Sequence, residues 1–387
     1  MPMRHLFRKI TSGFILGANF LVIILFLFSC LTPHLHPGKW WFTGFMGLAF
    51  PYLLALLLGF LIFWLVVHPR KSLFSLGALI LGAGSIGTLI AFGSTKSLPR
   101  VPEQGSIRIM SWNVRYFVPF RKERFQGDES ANVQAILDEI RTHRPDVICF
   151  QEFYNNGEKG QDMIARMSRD LGYPYYYFSR DQVHWRTIVT GTAIFSRYPL
   201  IQSRRIPYPE AIEEGAESTI LADMVVAGDT LRIANFHLQS FRFMPRDYQS
   251  LGVIKNQQDK GLEASKKIIR KMQNTFYLHG EQSDFVRRQL DQSPYPLVVC
   301  GDLNDVPNSY AYLNIRGDMQ DAFLEIGSGI GKTFTSASSR LLGKLPTLRI
   351  DYIFASPDLK TSGFQMVRKP LSDHFGLLAD LELPKKE

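Results

Sequence analysis

Leu297-Val298-Val299-Cys300-Gly301-Asp302-Leu303-Asn304-Asp305 passes abruptly from an apolar run to a carboxylate, an amide and a second carboxylate. A short apolar run closed by a turn former reads as a buried strand, and the polar groups behind it land at a sheet edge. The pattern returns near the C-terminus, where Ser372-Asp373-His374 lies close to the last apolar run. Gathering desolvated acids is costly, because each raises the pKa of its neighbour. A bound divalent cation removes that cost, so the pattern points to metal-assisted hydrolysis.

Four more segments repeat it. Ile107 to Ser111 ends in Trp112-Asn113-Val114-Arg115, and Asp146-Val147-Ile148-Cys149-Phe150 runs into Gln151-Glu152. Leu231 to Phe236 delivers Asn235 and His237, and Leu348-Arg349-Ile350 leads to Asp351-Tyr352-Ile353. Singly, each has an ordinary explanation: a histidine after a strand is usually a core residue, and Gly-Asp is usually a turn. Together they form an ordered series. It resembles the endonuclease/exonuclease/phosphatase superfamily, whose motifs are Trp-Asn, Gln-Glu, Asn-x-His-Leu, Gly-Asp-x-Asn, an Asp beside Tyr-Ile, and Ser-Asp-His. The resemblance covers about Ile107 to Leu383, with every motif in family order.

The resemblance implies an α/β fold, a four-layer α/β sandwich of two mainly antiparallel sheets flanked by helices. It implies hydrolysis of a phosphate ester, and it says little about substrate. Glu152 is the expected ligand of Mg²⁺ or Mn²⁺, hard cations that prefer carboxylate and water oxygens. Asn113 is expected beside it and Asp373 as a further metal contact. Asp302 is expected to orient or deprotonate the attacking water, with Asn304 holding that water or the phosphate. His374 is the expected stabiliser of phosphoryl charge, oriented by Asp351, and His237 a second phosphate-contacting histidine. Asn235 and Arg115 are expected at the substrate, with Glu217 orienting His237. No Ser or Cys has a recognisable base partner, so direct attack by water is expected.

Composition divides the 387 residues sharply. Met1 to Pro102 holds no acid, and three apolar stretches fill it, at about 13–31, 40–67 and 73–93. A bilayer takes about 20 residues to cross, so three transmembrane helices are predicted within a membrane anchor over 1–95. Arg4, Arg8 and Lys9 precede the first stretch and Arg70-Lys71 follow the second, whereas the first loop carries only Lys39. The positive-inside rule then predicts a multi-pass protein of the cell (inner) membrane with a cytoplasmic N-terminus and an extracytoplasmic catalytic domain. Trp40, Trp41 and Trp64 suit interfacial anchoring. The net charge of +9 is misleading, since six of the 44 basic residues lie in the acid-free anchor and the rest nearly balance the 35 acids. Cys30, Cys149 and Cys300 make no disulfide framework or zinc pattern, and the latter two read as core residues.

A linker is predicted over 96–105 and the catalytic domain over 106–387. Ala131 to His143 has helical spacing closed by Pro145, and Ile220 to Val226 with Leu231 to His237 reads as a hairpin. Tyr173 to Phe178 reads as strand or core. Ser240 to Arg288 holds ten bases and five acids, with Leu262, Ile269, Met272 and Phe276 on one predicted helical face.

The leading expectation is a metal-dependent phosphodiesterase acting on nucleic acid, because Phe334-Thr335 upstream of Arg349-Ile350-Asp351-Tyr352 resembles nuclease branches. Arg115 stands where apurinic-site nucleases carry an acid, which argues against abasic-site repair. The alternatives are a phospholipid or sphingomyelin phosphodiesterase, a sugar or inositol phosphatase and, from another class, a catalytically inactive membrane-anchored binding module. The expected partners are the bilayer and a phosphodiester substrate, with no obligate protein partner inferred.

Overall fold

Acid-free apolar sequence folds into a helical hairpin, and the remainder into two β-sheets with helices against them. The computed structural model describes residues 2–94, 98–118, 129–157, 162–184, 187–213, 216–241, 243, 258–335 and 347–384.

Helix α1 (Pro2–Leu31) and helix α2 (Thr43–Val67) form the hairpin. Two stretches, Ser12–His34 and Thr43–Val67, are long and apolar enough to cross a membrane. Helices α3 (Pro69–Leu81) and α4 (Ala83–Leu89) follow. The third expected span, 73–93, is therefore not one helix. Its two halves meet at a bend of 64°, and Ala91–Phe92 leaves the helical path as strand β1. Gly77, Gly82, Gly84 and Gly87 give this stretch poor helix propensity. One polar cluster ties the helices together: Trp64 Nε1 donates to Asn19 Oδ1 at 2.9 Å and Asn19 Nδ2 to Ser75 Oγ at 3.0 Å. Buried amides in apolar surroundings need such partners.

The first sheet has strand order β14 (Lys360–Val367), β15 (Gly376–Glu382), β2 (Ser106–Asn113), β3 (Val147–Asn156), β6 (Ile188–Ser196), β4 (Tyr175–Phe178), with β5 (Gln182–His184) also on β6. The second has order β11 (Gln320–Asp321), β13 (Asp351–Ala355), β10 (Leu297–Asp302), β9 (Asp229–His237), β8 (Glu217–Val226), β7 (Leu200–Ile206). Both are mixed: β2–β3 and β9–β10 pair parallel and their other pairs antiparallel. Strand β12 (Ser328–Gly329) takes β1 as its antiparallel partner.

Side-chain alternation explains the packing. Ile107, Val147 and Ile194 of the first sheet share one core with Ile220, Ile233, Val298 and Ile353 of the second. On the other side of the first sheet, Ile148 and Phe150 pack with Ile136, Leu137 and Ile140 of α5 (Glu129–His143). On the other side of the second, Phe236 and Val299 meet Leu278 and Val286 of α6 (Gln258–Leu290), and Ala311 and Ile315 of α7 (Tyr310–Arg316). Cys149 and Cys300 are free buried thiols in the shared core, and burial pushes the Cys149 thiol well up.

The predicted helix and hairpin form, the latter turning on Ala227-Gly228, both at positive φ. Tyr173 is core, and Tyr175–Phe178 is strand. The face predicted for α6 is displaced: Ile268 is buried and Ile269 exposed. Residues 242 and 244–257 of the basic stretch, the Leu262 side chain, and 96–97 of the linker lie outside the described residues. The rest of the linker is held, since Arg108 Nη2 donates to Pro99 O at 2.8 Å.

Arg108 is itself buried and bonded twice to Asp380, Nε to Oδ1 and Nη2 to Oδ2, each at 2.7 Å. Removing one member of such a pair strands a charge in the core. Asp380→Ala should cost about 3–5 kcal/mol in denaturant unfolding of the solubilised chain; a cost under about 1 kcal/mol would contradict the role given to this pair.

Candidate active site

Register brings the titratable groups together. Along neighbouring strands β8, β9, β10 and β13, Glu217 lies opposite His237, His237 opposite Asp302, and Asp302 opposite Asp351. One row across the second sheet thus carries carboxylate, imidazole, carboxylate, carboxylate. The first sheet supplies Asn113 at the end of β2 and Glu152 from β3. Strand alternation would turn Glu152 away from its buried neighbour Gln151. A register irregularity between Phe150 and Phe153, with Glu152 at φ 49°, re-aims it. Asn304 also takes positive φ, 50°, and its N–H donates to Asp302 Oδ1 at 2.8 Å. Asparagine tolerates this conformation.

The two sheets meet at one amide. Asn113 Nδ2 lies 3.2 Å from Glu152 Oε1 and 3.0 Å from Asp302 Oδ2. His237 Nδ1 donates to Glu217 Oε2 at 3.2 Å, and that same oxygen accepts the Glu152 N–H at 2.9 Å. The other ring nitrogen, His237 Nε2, is buried without a hydrogen-bond partner among the described residues, 3.9 Å from Glu152 Oε1 and 3.6 Å from Asp302 Oδ2. His374 Nδ1 lies 3.0 Å from both oxygens of Asp351 and 3.6 Å from Asp302 Oδ2. Trp112 Nε1 donates to the His374 carbonyl at 3.1 Å, and the Phe334 ring meets the imidazole edge-on at 5.0 Å. Glu152, Glu217, His237, Tyr116 and Ser240 line a cavity of about 80 Å³.

Burial and crowding set the protonation states. Burial, with Asp373 and Glu217 nearby, lifts Glu152 to about 7 against the opposing pull of His237 and His374. Burial and then Asp351 raise Asp302. For His237, burial works downward, but the hydrogen bond and charge of Glu217, with Asp302 and Glu152, raise it to about 9. His374 is also raised well above its ordinary value despite burial, chiefly by Asp351 and Asp302.

This donor set fits a hard divalent cation. Glu152 and Asp302 crowd the Asn113 amide, and a cation between oxygen ligands would offset the burial, and the nearby Asp373 and Glu217, that raise Glu152 to about 7. A second grouping, Asp302, Asp351 and His374, has ligand atoms within 4.8 Å of one another. Since His374 is held protonated by Asp351, the oxygen set around Glu152 suits Mg²⁺ or Mn²⁺ better.

Asn113, Glu152, Glu217, His237, Asp302, Asn304, Asp351 and His374 therefore converge. Asp373 is joined to Arg115, whose Nε lies 3.4 Å from Asp373 Oδ2. Asn235 is placed differently. Fully buried, it donates to Phe150 O at 2.8 Å and Ala193 O at 3.0 Å and accepts from Gln151 Nε2 at 2.7 Å, so its amide joins the sheets. Three supports lie outside the motif roles. Ser372 Oγ donates to Asn113 O at 2.8 Å. Thr333 Oγ1 accepts the Asp351 N–H at 3.2 Å. His279 Nδ1 lies 3.2 Å from Asp305 Oδ2. Ser372 was visible within its motif, whereas Thr333 and His279 act through long-range contacts that leave no local signal.

The profile of the Endonuclease/Exonuclease/phosphatase family matches residues 110–250 and 275–374, well over half of the chain. A domain of unknown function, DUF8431, matches residues 12–89. Among solved structures, the chain is similar to an endonuclease/exonuclease/phosphatase from Beutenbergia cavernae DSM 12333, at 22% identity and TM-score 0.52, covering 73% of this chain and 72% of that one. It is also similar to the human Nocturnin catalytic domain with bound sulfate anion (19% identity, TM-score 0.47, covering 73% and 96%). A third is humanized D. rerio TDP2 (16% identity, TM-score 0.48, covering 72% and 99%). No curated protein sequence matches.

Two titrations check these protonation states. Glu217→Gln should lower the His237 pKa from about 9, read by imidazole NMR; an unmoved titration contradicts the pairing. With Glu152 near 7, Mg²⁺ affinity measured by calorimetry should strengthen as pH rises through neutrality and weaken in Glu152→Gln. A flat profile counts against Glu152 as the ligand.

Proposed function

Because the chain belongs to the endonuclease/exonuclease/phosphatase family, we propose that it is a metal-dependent hydrolase of phosphodiesters using direct attack by water. The carrying observation is the Asn113 amide between Glu152 and Asp302, with two raised-pKa histidines beside them. Glu152, with Asp373, would hold Mg²⁺ or Mn²⁺, which when bound neutralises phosphate charge, and Asn113 would join them through Oδ1 once that oxygen leaves the Arg115 N–H and the amide turns. Asp302 accepts the proton of the attacking water, and the Asn304 amide orients that water or the phosphate. His374, kept protonated by Asp351, donates to a phosphoryl oxygen as charge develops there. His237, kept protonated by Glu217, faces the same centre from the other side. Arg115 is placed for the substrate once it leaves Asp373. Asn235 we assign to joining the sheets. The water's hydroxyl ends on phosphorus and its proton on the released alcohol.

The domain limits 1–95, 96–105 and 106–387 are supported by the two family matches and by the helical hairpin. The shared core between the sheets and the helices against their other sides support the four-layer α/β sandwich. The path of the chain supports the orientation read from the basic residues. Lys71 Nζ donates to Ser12 Oγ at 2.8 Å, so the basic first turn of α3 lies beside the start of the first apolar stretch. At the other end, Thr88 O of α4 accepts from Arg349 Nη2 of the catalytic domain at 2.7 Å. The bent α3–α4 pair thus returns to the catalytic side. The positive-inside rule then sets the N-terminus in the cytoplasm and the catalytic domain outside the cell membrane.

Two substrate classes fit the reaction. Nucleic acid is favoured by Phe334-Thr335, with Phe334 against His374; a lipid phosphodiester is favoured by the anchor.

Asp302→Ala in the full chain should lower Mg²⁺-dependent hydrolysis of bis(p-nitrophenyl) phosphate by about 10²–10⁴-fold. Retained turnover would remove Asp302 from the mechanism, and absence of turnover in the unaltered chain would revive the inactive binding module.

A further inference from the structure

The helices meet the catalytic domain along the loops that hold the site. Asn308, in the loop after Asp302, donates from Nδ2 to Ser29 O at 2.8 Å, and its carbonyl accepts from Thr32 Oγ1 at 3.1 Å. On the approach to Asp351, Thr347 Oγ1 shares a hydrogen bond of 3.3 Å with Tyr52 OH of α2, and Arg349 bonds Thr88 O of α4. The loops flanking two neighbouring carboxylates of the row are therefore fixed to α1, α2 and α4.

The closeness of this contact depends on two glycines of α2. A Cβ at Gly47 would stand 2.6 Å from Asn308 O, and one at Gly44 would stand 2.3 Å from the nearest carbon of the Phe276 ring. The contacts at Gly44, Gly47 and Tyr52 run along about 12 Å of α2. Helix α2 is about 37 Å long by its 25 residues, against about 30 Å of hydrocarbon and 40–45 Å with headgroups. The contacts take about 12 Å of that length and leave about 25 Å, short of the hydrocarbon, so a spanning α2 draws the domain's rim down to headgroup depth or below.

Aromatic rings connect that depth to the cleft. Trp40 and Trp41 are substantially exposed in the loop between α1 and α2, residue types suited to the bilayer interface. Ring centroids follow in sequence: Trp41 to Phe45 at 6.0 Å, Phe45 to Phe276 at 5.2 Å, Phe276 to Phe241 at 5.4 Å, Phe241 to Phe243 at 5.7 Å. Phe241 follows Ser240, which lines the cavity with His237 and Glu152. Lys271 Nζ lies 5.5 Å from the centre of the Phe243 ring, adding a cation to this aromatic path.

We propose that the substrate is a phosphodiester borne by a lipid, cleaved while that lipid remains in the leaflet beside Trp40 and Trp41. This rests on the phosphodiesterase reading above and on the hairpin crossing a membrane. Water's oxygen bonds to phosphorus, one ester P–O bond breaks, and the released alkoxide takes the water's proton. The products are an alcohol and a phosphomonoester, one of which stays in the bilayer.

The test reconstitutes the full chain with Mg²⁺ in nanodiscs of phosphatidylcholine, phosphatidylethanolamine and phosphatidylglycerol. Lipid cleavage is followed by phosphorus NMR beside hydrolysis of bis(p-nitrophenyl) phosphate and of single-stranded DNA. Gly47→Leu pushes Asn308 away from α2 and substitutes no residue of the site. It should keep the soluble diester rate within about two-fold yet lose about ten-fold or more on bilayer lipid, because small misplacements are costly. An undiminished lipid rate in Gly47→Leu, or cleavage of DNA with lipid untouched, overturns the proposal. A dead soluble-diester assay in the unaltered chain instead overturns the phosphodiesterase reading. A second measurement is independent of how Gly47→Leu folds: a fluorophore at Ser240→Cys should be quenched by lipids spin-labelled at the headgroup, and no quenching overturns the proposal as well.

Discussion

One side-chain amide holds together what the two sheets bring. Asn113 comes from a strand of the first sheet and sets its Nδ2 between Glu152 of that sheet and Asp302 of the other. Each carboxylate is buried enough that its charged form is disfavoured, so the arrangement depends on donors and cations facing both. The amide supplies the donor, and two imidazoles raised toward their protonated forms supply positive charge. Below this layer, Gln151 and Asn235 repeat the device without titratable groups, one amide bonding the next across the interior. The sheets are therefore matched in position before any substrate arrives.

Placement of the row on strand ends gives the site its precision. Glu217, His237, Asp302 and Asp351 share a register fixed by backbone hydrogen bonds, so their spacing is that of neighbouring strands. Departures from regular geometry occur where a side chain has to be re-aimed, at Glu152 and Asn304, both at positive φ. Such conformations persist only where surroundings enforce them. The Glu217 carboxylate on the Glu152 N–H and the Asp302 carboxylate on the Asn304 N–H are those enforcing contacts.

Much of this was legible in the sequence because the signal was local. Apolar runs ending in acids and imidazoles declared both the strands and the polar ends they carry, and Asn113, Glu152, His237, Asp302 and Asp351 each fall within two positions of such an end. What stayed hidden depended on distance. Thr333 supports Asp351 across a separation of 18 residues, and His279 reaches Asp305 from a helix whose pattern is ordinary. Asn235 sits in a motif yet serves the interior, since alternation puts a side chain on a face without saying whether that face opens to solvent or to another sheet. The third apolar stretch misled for a related reason: hydropathy counts its residues equally, while its glycines and its pairing with Ser328–Gly329 interrupt the helix.

The glycines of α2 give the hairpin a further character. Small residues on membrane helices usually let another helix approach closely; here Gly44 and Gly47 admit the soluble domain instead. The hairpin is consequently not an interchangeable tether. A substitute pair of apolar helices of equal length would lack these close approaches and leave the domain's height and tilt against the hairpin unfixed. Hairpin and domain thus form one mechanical unit, in which a side chain added to α2 at this contact has to be answered by a displacement of Asn308 or Phe276.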